Sequence, residues 1–298
     1  MSLVYHINSA HPIVLRGDIY YNKVIVISVK ALKRKYSYST ILLRELVITD
    51  FRLRYQGSVL GYLWSLLKPL FLFVILYFVF VYFLKIGNDI PYWPVSLLLG
   101  IVLWNFFTEV TSNGLGAIVA RGDVLRKINF PRYVIVLSST ISAFINLVLN
   151  SIVISVFMII AGVQLSFSAL LAPIYVFELF ILGLGLAFAL SAIYVKLRDM
   201  NYIWEILMQA LFYGSAVMYP IAMVMDKDMF LAKVLLLNPI AQSIQDTRHV
   251  LVSDVNPTLF SVTQNFWVSL IPIVITVGIF IFGAWYFRRE SPDFAENV

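Results

Sequence analysis

Long apolar segments recur along the chain, and short polar connections separate them. An α-helix needs about 20 predominantly apolar residues to cross the hydrocarbon core of a bilayer. The pattern therefore predicts an all-α integral membrane protein with six transmembrane helices, and an even number of spans places both termini on one side. The predicted spans are Leu60–Leu84, Tyr92–Val110, Tyr133–Val163, Leu170–Val195, Ile203–Tyr219 and Phe266–Phe287.

Residues 40–56, which precede the first span, have the pattern of an imperfectly amphipathic helix. Polar residues share one narrow face at 100° per residue, and leucines lie beside them. Asp50 and Arg54 are one helical turn apart and can form an ion pair. We predict an interfacial helix that acts either as a membrane anchor or as a lever for a cytoplasmic partner. Its charged residues are Arg44, Glu45, Asp50, Arg52 and Arg54.

The connection between the fifth and sixth spans is long and moderately hydrophobic. The segments 220–225 and 234–237 are too short to span a membrane and too apolar for a solvated loop. They predict short re-entrant or interfacial helices, broken at Pro220 and at Asn238-Pro239. Irregular backbone at membrane depth must be buried in protein or line a wet cavity, so this segment indicates a conduit; a loop on the membrane surface is the alternative.

Composition and charge agree with a membrane location. Of 298 residues, 61% are apolar and 13% are charged, whereas a soluble domain carries about 25% charged residues. With cytoplasmic termini, the inner segments hold 18 Lys and Arg and the outer segments hold 4. This bias predicts a multi-pass protein of the inner or plasma membrane with both termini cytoplasmic. It also accounts for the net charge of +6 without a nucleic-acid partner.

Motifs for catalysis or metal binding are missing from the sequence. The chain has no cysteine, and its three histidines, His6, His11 and His249, are far apart. No G-x-x-x-x-G-K-S/T phosphate loop is present, so the chain is not expected to hydrolyse nucleotide alone. We predict a membrane protein that is not catalytic alone and has no metal and no cofactor of its own. The first thirty residues lack a continuous apolar core, which argues against a cleaved signal peptide.

Aromatic residues are dense in and around the first, second and fifth spans. Aromatic residues at span ends form ordinary interfacial belts, but this does not explain those nearer the middle. Flat rings with polar tips suit sugar rings, although packing between helices is the simpler role for any single residue. The channel-lining candidates are Tyr62, Trp64, Trp104, Phe107, Tyr213 and Tyr219.

The inner loop between the second and third spans, residues 121–133, combines basic and apolar residues before Pro131. Asp123 can cap a short helix there. We expect that helix to expose Ile128 and Phe130, which indicates either a protein docking on it or a basic loop lying against the membrane.

Four places in the sequence together resemble the membrane subunits of ABC-2-type polysaccharide exporters. The first is Arg44–Leu70, with its L-R-E-L, D-F-x-x-R-Y and L-G-Y-L-W patterns. The others follow in the same order: K-I-N-F-P at 127–131, L-R-D-M at 197–200, and Y-P-I at 219–221 with L-N-P-I at 237–240. The resemblance covers about residues 40–290.

The resemblance implies a homodimer of six-span subunits with two copies of a separate ABC ATPase, which binds ATP and Mg. The complex of these four subunits would export a lipid-linked polysaccharide. The implied transmembrane domain is 39–290, between a cytoplasmic extension at 1–38 with no assigned role and a cytoplasmic tail at 291–298. Pro220, Asn238 and Pro239 would belong to the outer gate. The implied ATPase-coupling residues are Arg126, Lys127, Ile128, Asn129, Phe130, Pro131, Arg198 and Asp199.

Two alternatives remain at this point. An ABC-2 permease for a drug or a small lipid would share the fold and the ATPase partner but needs no glycan conduit. A stand-alone flippase or secondary transporter would need no ATPase.

Overall fold

A computed structural model of the chain describes residues 40–50, 52, 57–61, 63–87, 89–127 and 130–297. The predicted extension 1–38 lies outside the described residues. Residues 43–298 are assigned to one compact unit. All regular structure within the described residues is helical. The helices are α1 (40–50), α2 (Leu63–Leu76), α3 (Trp93–Ala120), α4 (Gly122–Lys127), α5 (Tyr133–Ala161), α6 (Ala172–Lys196), α7 (Met200–Gly214), α8 (Ile221–Met225), α9 (Met229–Leu236), α10 (Pro239–Leu251), α11 (Leu259–Thr263), α12 (Phe266–Ser269), α13 (Ile271–Glu290) and α14 (Phe294–Asn297).

The prediction of an all-α membrane protein is confirmed. Five helical segments of the described chain are long and apolar enough to cross a membrane: Leu63–Phe83, Trp93–Ala120, Tyr133–Ala161, Phe167–Lys196 and Phe266–Asp293. The first of these is α2 continued by a π-helix over Tyr77–Phe83. The predicted fifth span corresponds to α7, whose 15 residues reach only about 22 Å at 1.5 Å per residue.

Helices α3 and α7 end at other residues than the predicted spans, each for a structural reason. Helix α3 continues to Ala120, ten residues past Val110, because that part also packs inside the protein through Thr111, Leu115 and Ile118. Helix α7 ends at Gly214 rather than at Tyr219, because Ala216 takes a positive φ of 50° in the turn that follows. That turn is buried.

Helix α3 is the centre of the bundle. Most of its side chains are buried, and it packs along both α5 and α6. Helix α6 in turn packs against α13, where Gly185 meets Gly283 so closely that a Cβ on Gly283 would lie 2.0 Å from the Gly185 carbonyl oxygen. Glycines at such positions let helix backbones approach each other in a membrane. Helices α2 and α7 lie at the periphery and bury only a few of their side chains.

The bundle has two distinct ends. At one end, α4 lies with α14 and the last turn of α6; we call this the α4 end. The other, the α10 end, carries the short helices α8 to α12. Pro220 precedes the first residue of α8, and the Asn238 side chain caps α10 by accepting a hydrogen bond from the Ile240 amide. Helices α8 and α10 thus begin at the two predicted breaks, Pro220 and Asn238-Pro239.

Candidate translocation and coupling surfaces

Helix α7 exposes a row of polar side chains on its outward face. Asn201, Glu205, Gln209 and Tyr213 recur every fourth residue, and all four are exposed in the subunit. Residues at this spacing lie one above the other on a helix. We call this row the α7 polar stripe. Polar groups in a membrane face the inside of a bundle or water rather than lipid, so the stripe needs a covering other than lipid.

The opposite face of α7 is fixed against α3. The Trp204 indole Nε1 donates a hydrogen bond to Thr111 Oγ1 at 3.3 Å, and the Thr111 hydroxyl lies 4.0 Å from Met208 Sδ. One turn further along, Trp104 and Phe212 meet edge to face with ring centroids 5.5 Å apart. These contacts determine which side of α7 faces outward.

A cavity of about 900 Å³, with many polar residues in a largely apolar wall, opens between α2, α3 and α5. Its walls include Glu109, which accepts a hydrogen bond from the Asn146 amide at 2.6 Å, and Asn150, whose amide donates to the Ser65 carbonyl. Trp64 lies at its edge on α2. Many of the wall residues lie in the middle of helices long enough to cross a membrane, where polar side chains face the bundle interior or a water-filled cavity. Its other polar wall residues are Ser58, Lys68, Asn105, Thr108, Ser112 and Asn113.

The six channel-lining candidates occupy different environments. Trp64 and Tyr213 are exposed, and Tyr219 is half-buried with its hydroxyl donating to the Tyr213 carbonyl. Trp104 and Phe107 belong to the packed interior, and Phe107 has 0% of its surface exposed. These two rings therefore back the wall of the bundle and do not reach its surface in this conformation. Tyr62 lies outside the described residues.

The α10 end is held together by one fully buried arginine. Arg248 donates hydrogen bonds to the carbonyl oxygens of Ser96 at 2.9 Å, Ala216 at 3.0 Å and Val217 at 2.6 Å. Its guanidinium also lies 5.2 Å from the centroid of the Trp93 ring. It thereby ties α10 to the start of α3 and to the turn after α7. The sequence interpretation counted Arg248 only among the outer charges; a basic residue on the poorly charged side was the signal for a structural role.

A second polar contact at this end joins α6 to α10. The Gln242 amide nitrogen donates a hydrogen bond to Asp246 and lies beside the Glu178 carboxylate. One oxygen each of Glu178, Gln242 and Asp246 is buried and has no hydrogen-bond partner among the described residues. The sequence showed only scattered acidic residues, because Glu178 and Asp246 lie on helices that only the fold brings together.

At the α4 end, the predicted coupling segment is only partly exposed. Arg126 and Asp123 are exposed on α4, whereas Phe130 is buried, with 7% of its surface accessible. The expectation that Phe130 is exposed is wrong, since its ring packs into the subunit. Pro131 is half-buried and precedes α5. The side chain of Lys127 and all of Ile128 and Asn129 lie outside the described part.

The start of α4 is connected to α1. Arg121 forms an ion pair with Asp50, and its guanidinium also donates to the Ser138 hydroxyl at 2.8 Å. Burial lowers the pKa of Arg121. The predicted pairing of Asp50 with Arg54 is not described, because Arg54 lies outside the described residues. Arg44, Glu45 and Arg52 are exposed, so α1 contacts the bundle through Asp50 and directs other charges outward.

The loop between α6 and α7 completes this end. Arg198 and Asp199 are exposed, and the Arg198 guanidinium lies 5.4 Å from the centroid of the Tyr194 ring. Leu197 is exposed beside them. Lys196 forms an ion pair with Glu290 at the end of α13.

Comparison with known proteins identifies the class of this chain. Residues 41–252 match the family described as ABC-2 type transporter, a range that includes α1, the bundle helices α2 to α7 and the short helices up to α10. The chain belongs to the membrane-protein family of ABC-2 transporters. Membership in this family implies that the chain functions together with an ABC ATPase, because the family comprises the membrane components of ABC transporters.

Relatives of this chain are named as export permeases. The chain is 28% identical over 228 residues to the O-antigen export system permease protein RfbA of Klebsiella pneumoniae, covering 76% of this chain and 86% of the relative. It is 28% identical over 199 residues to the protein of the same name from Myxococcus xanthus, covering 67% and 75%. A second Klebsiella pneumoniae RfbA protein is 27% identical over 266 residues, covering 87% and 98%.

Proposed function

We propose that this chain is the membrane subunit of an ATP-driven exporter that moves a lipid-linked polysaccharide from the cytoplasm to the outer side of the membrane. Two copies would form the conduit, and two copies of an ABC ATPase would drive it from the α4 end. The three RfbA relatives are O-antigen export permeases and cover most of the chain, which supports a glycan rather than a drug or a small lipid.

The observation that carries the proposal is the α7 polar stripe. A charged side chain at the centre of a bilayer costs about 3 kcal/mol even by permissive measures. Glu205, Asn201 and Gln209 are exposed on an isolated subunit, so a second subunit and a water-filled path would give them suitable surroundings. A hydroxyl-rich polymer needs such a path. Polar side chains along it would exchange hydrogen bonds with the polymer as the polymer slides past them.

The function is tested by ATP hydrolysis in lipid nanodiscs that contain this chain and its ABC ATPase. We expect hydrolysis to rise when a lipid-linked glycan is added and to stay unchanged with the same lipid carrier lacking the glycan. Stimulation by a drug or a simple lipid alone would support the small-substrate alternative. Movement of substrate by this chain without the ATPase would support a stand-alone flippase and contradict the proposal.

The arrangement of two copies around the stripe is tested by cross-linking. The chain has no cysteine, so Gln209→Cys introduces a single reactive thiol. In a two-fold symmetric dimer, residues near the axis face their own copies. We expect a bis-maleimide to link Gln209→Cys subunits into dimers in native membranes. The control is Phe282→Cys on the exposed face of α13, which should remain monomeric; cross-linking at Phe282→Cys alone would place the interface elsewhere.

A further inference from the structure

The last residues of the described chain are tied to the α4 end. Chain termini are usually poorly ordered unless specific contacts hold them. Here the Phe294 ring is 1% exposed and meets Phe287 edge to face, with ring centroids 5.2 Å apart. The centroid of the Phe287 ring in turn lies 5.1 Å from that of the Phe188 ring on α6. The tail predicted at 291–298 is therefore anchored in the bundle up to Asn297.

This anchored segment contacts α4 directly. Helix α14 packs against both α4 and α6. Arg132, at the start of α5, donates a hydrogen bond from its guanidinium to the Ser291 carbonyl. The segment thus joins the short helix α4 to three long helices, α5, α6 and α13. A force applied to α4 reaches these helices through α14 as well as through the chain itself.

The outward face of the same segment is charged. Asp293 and Glu296 are exposed, and Asp123 and Arg126 are exposed on the neighbouring α4. The segment 291–297 and α4 therefore form one continuous surface. On it, the acidic Asp293 and Glu296 lie next to a helix that carries both an acidic and a basic side chain. When a partner protein carries charges complementary to such a surface, those charges set the orientation in which the two proteins bind.

We propose that Ser291–Asn297 is part of the surface that binds the ABC ATPase, where it holds α4 in place and contributes Asp293 and Glu296 as acidic contacts. This inference rests on the proposed function. The partner surface it requires has basic side chains opposite these two carboxylates, next to the part that contacts α4.

The inference is tested by purifying the exporter through a tag on this chain and measuring how much ATPase subunit remains bound. The double variant Asp293→Lys with Glu296→Lys alters only exposed positions. We expect it to lower ATPase retention about tenfold, with an unchanged melting temperature. Phe294→Ala should lower retention similarly by releasing α4. The matched control Phe260→Ala removes an exposed ring on α11 and should retain wild-type levels.

A reference variant distinguishes failure of the tail inference from failure of the proposed function. Arg126→Glu on α4 should also lower retention. If it does while both tail variants bind the ATPase as the wild type does, the tail plays no part and the inference is wrong. If the wild-type chain retains no ATPase, the proposed function itself fails. If Phe294→Ala lowers the melting temperature, the charge-reversal variant decides alone, because its side chains are not part of the core.

Discussion

Replacement of Arg248 by Met is expected to destabilise the subunit strongly, because it breaks three buried hydrogen bonds at once. The variant removes the donors to the carbonyl oxygens of Ser96, Ala216 and Val217. An unsatisfied buried polar group costs about 1–3 kcal/mol, so we expect a loss of roughly 3–5 kcal/mol in the free energy of unfolding. The measurement is the melting temperature in detergent, followed by size-exclusion chromatography.

Two further substitutions test whether hydrogen-bond geometry is responsible. Lys keeps the charge but lacks the planar fork that reaches several acceptors at once, so Arg248→Lys should give an intermediate loss. Gly100→Ala should also destabilise, because its Cβ would lie 2.2 Å from Arg248 Nη2. Arg288→Met, at an exposed position, is the matched control and should leave the melting temperature unchanged. A stable Arg248→Met protein would show that other contacts hold the α10 end.

Most of the fold was predictable because lipid imposes a simple rule on sequence. A helix that crosses the bilayer must be apolar over about 20 residues, and the five long helices satisfy this directly. Glycine in an apolar helix is typical of close helix approach in a membrane, and Gly185 meets Gly283. Helix α7 was harder to delimit, because its last turns are followed by a buried, non-helical segment of similar hydrophobicity.

The polar contacts were less predictable, since they join residues that are distant in the sequence. Glu178 and Asp246 come together only because α6 packs against α10. Phe130 was expected to be exposed, either to a partner or to the membrane surface, but its neighbours in the fold bury it. Hydrophobicity records that a side chain avoids water; it does not distinguish a subunit's own core from a partner's groove. The same limit applies to Trp104 and Phe107, which lie behind the surface.

The second large effect is expected from removing the polarity of the α7 stripe. The triple variant Asn201→Leu, Glu205→Leu and Gln209→Leu should reduce export of polysaccharide to the cell surface at least about tenfold, the loss that 1.4 kcal/mol produces. Its amount in the membrane should not fall, because leucine favours insertion of a helix into the membrane. Export is measured by surface labelling of the glycan, normalised to the quantity of folded subunit.

A matched control on α13 shows whether a loss of export comes from the lost polarity of the stripe. Val274, Val277 and Ile281 are exposed on α13, and their triple replacement by Leu changes a helix surface of the same extent without altering its polarity. We expect normal export from that control, because an exposed apolar face tolerates another apolar side chain. If the α7 variant also exported normally, the stripe would not line the conduit, and its polar groups would have to be covered by the partner subunit alone. Loss of export together with continued ATP hydrolysis would instead locate the defect in the path of the glycan, since the α4 end and its contacts with α14 are unchanged in this variant.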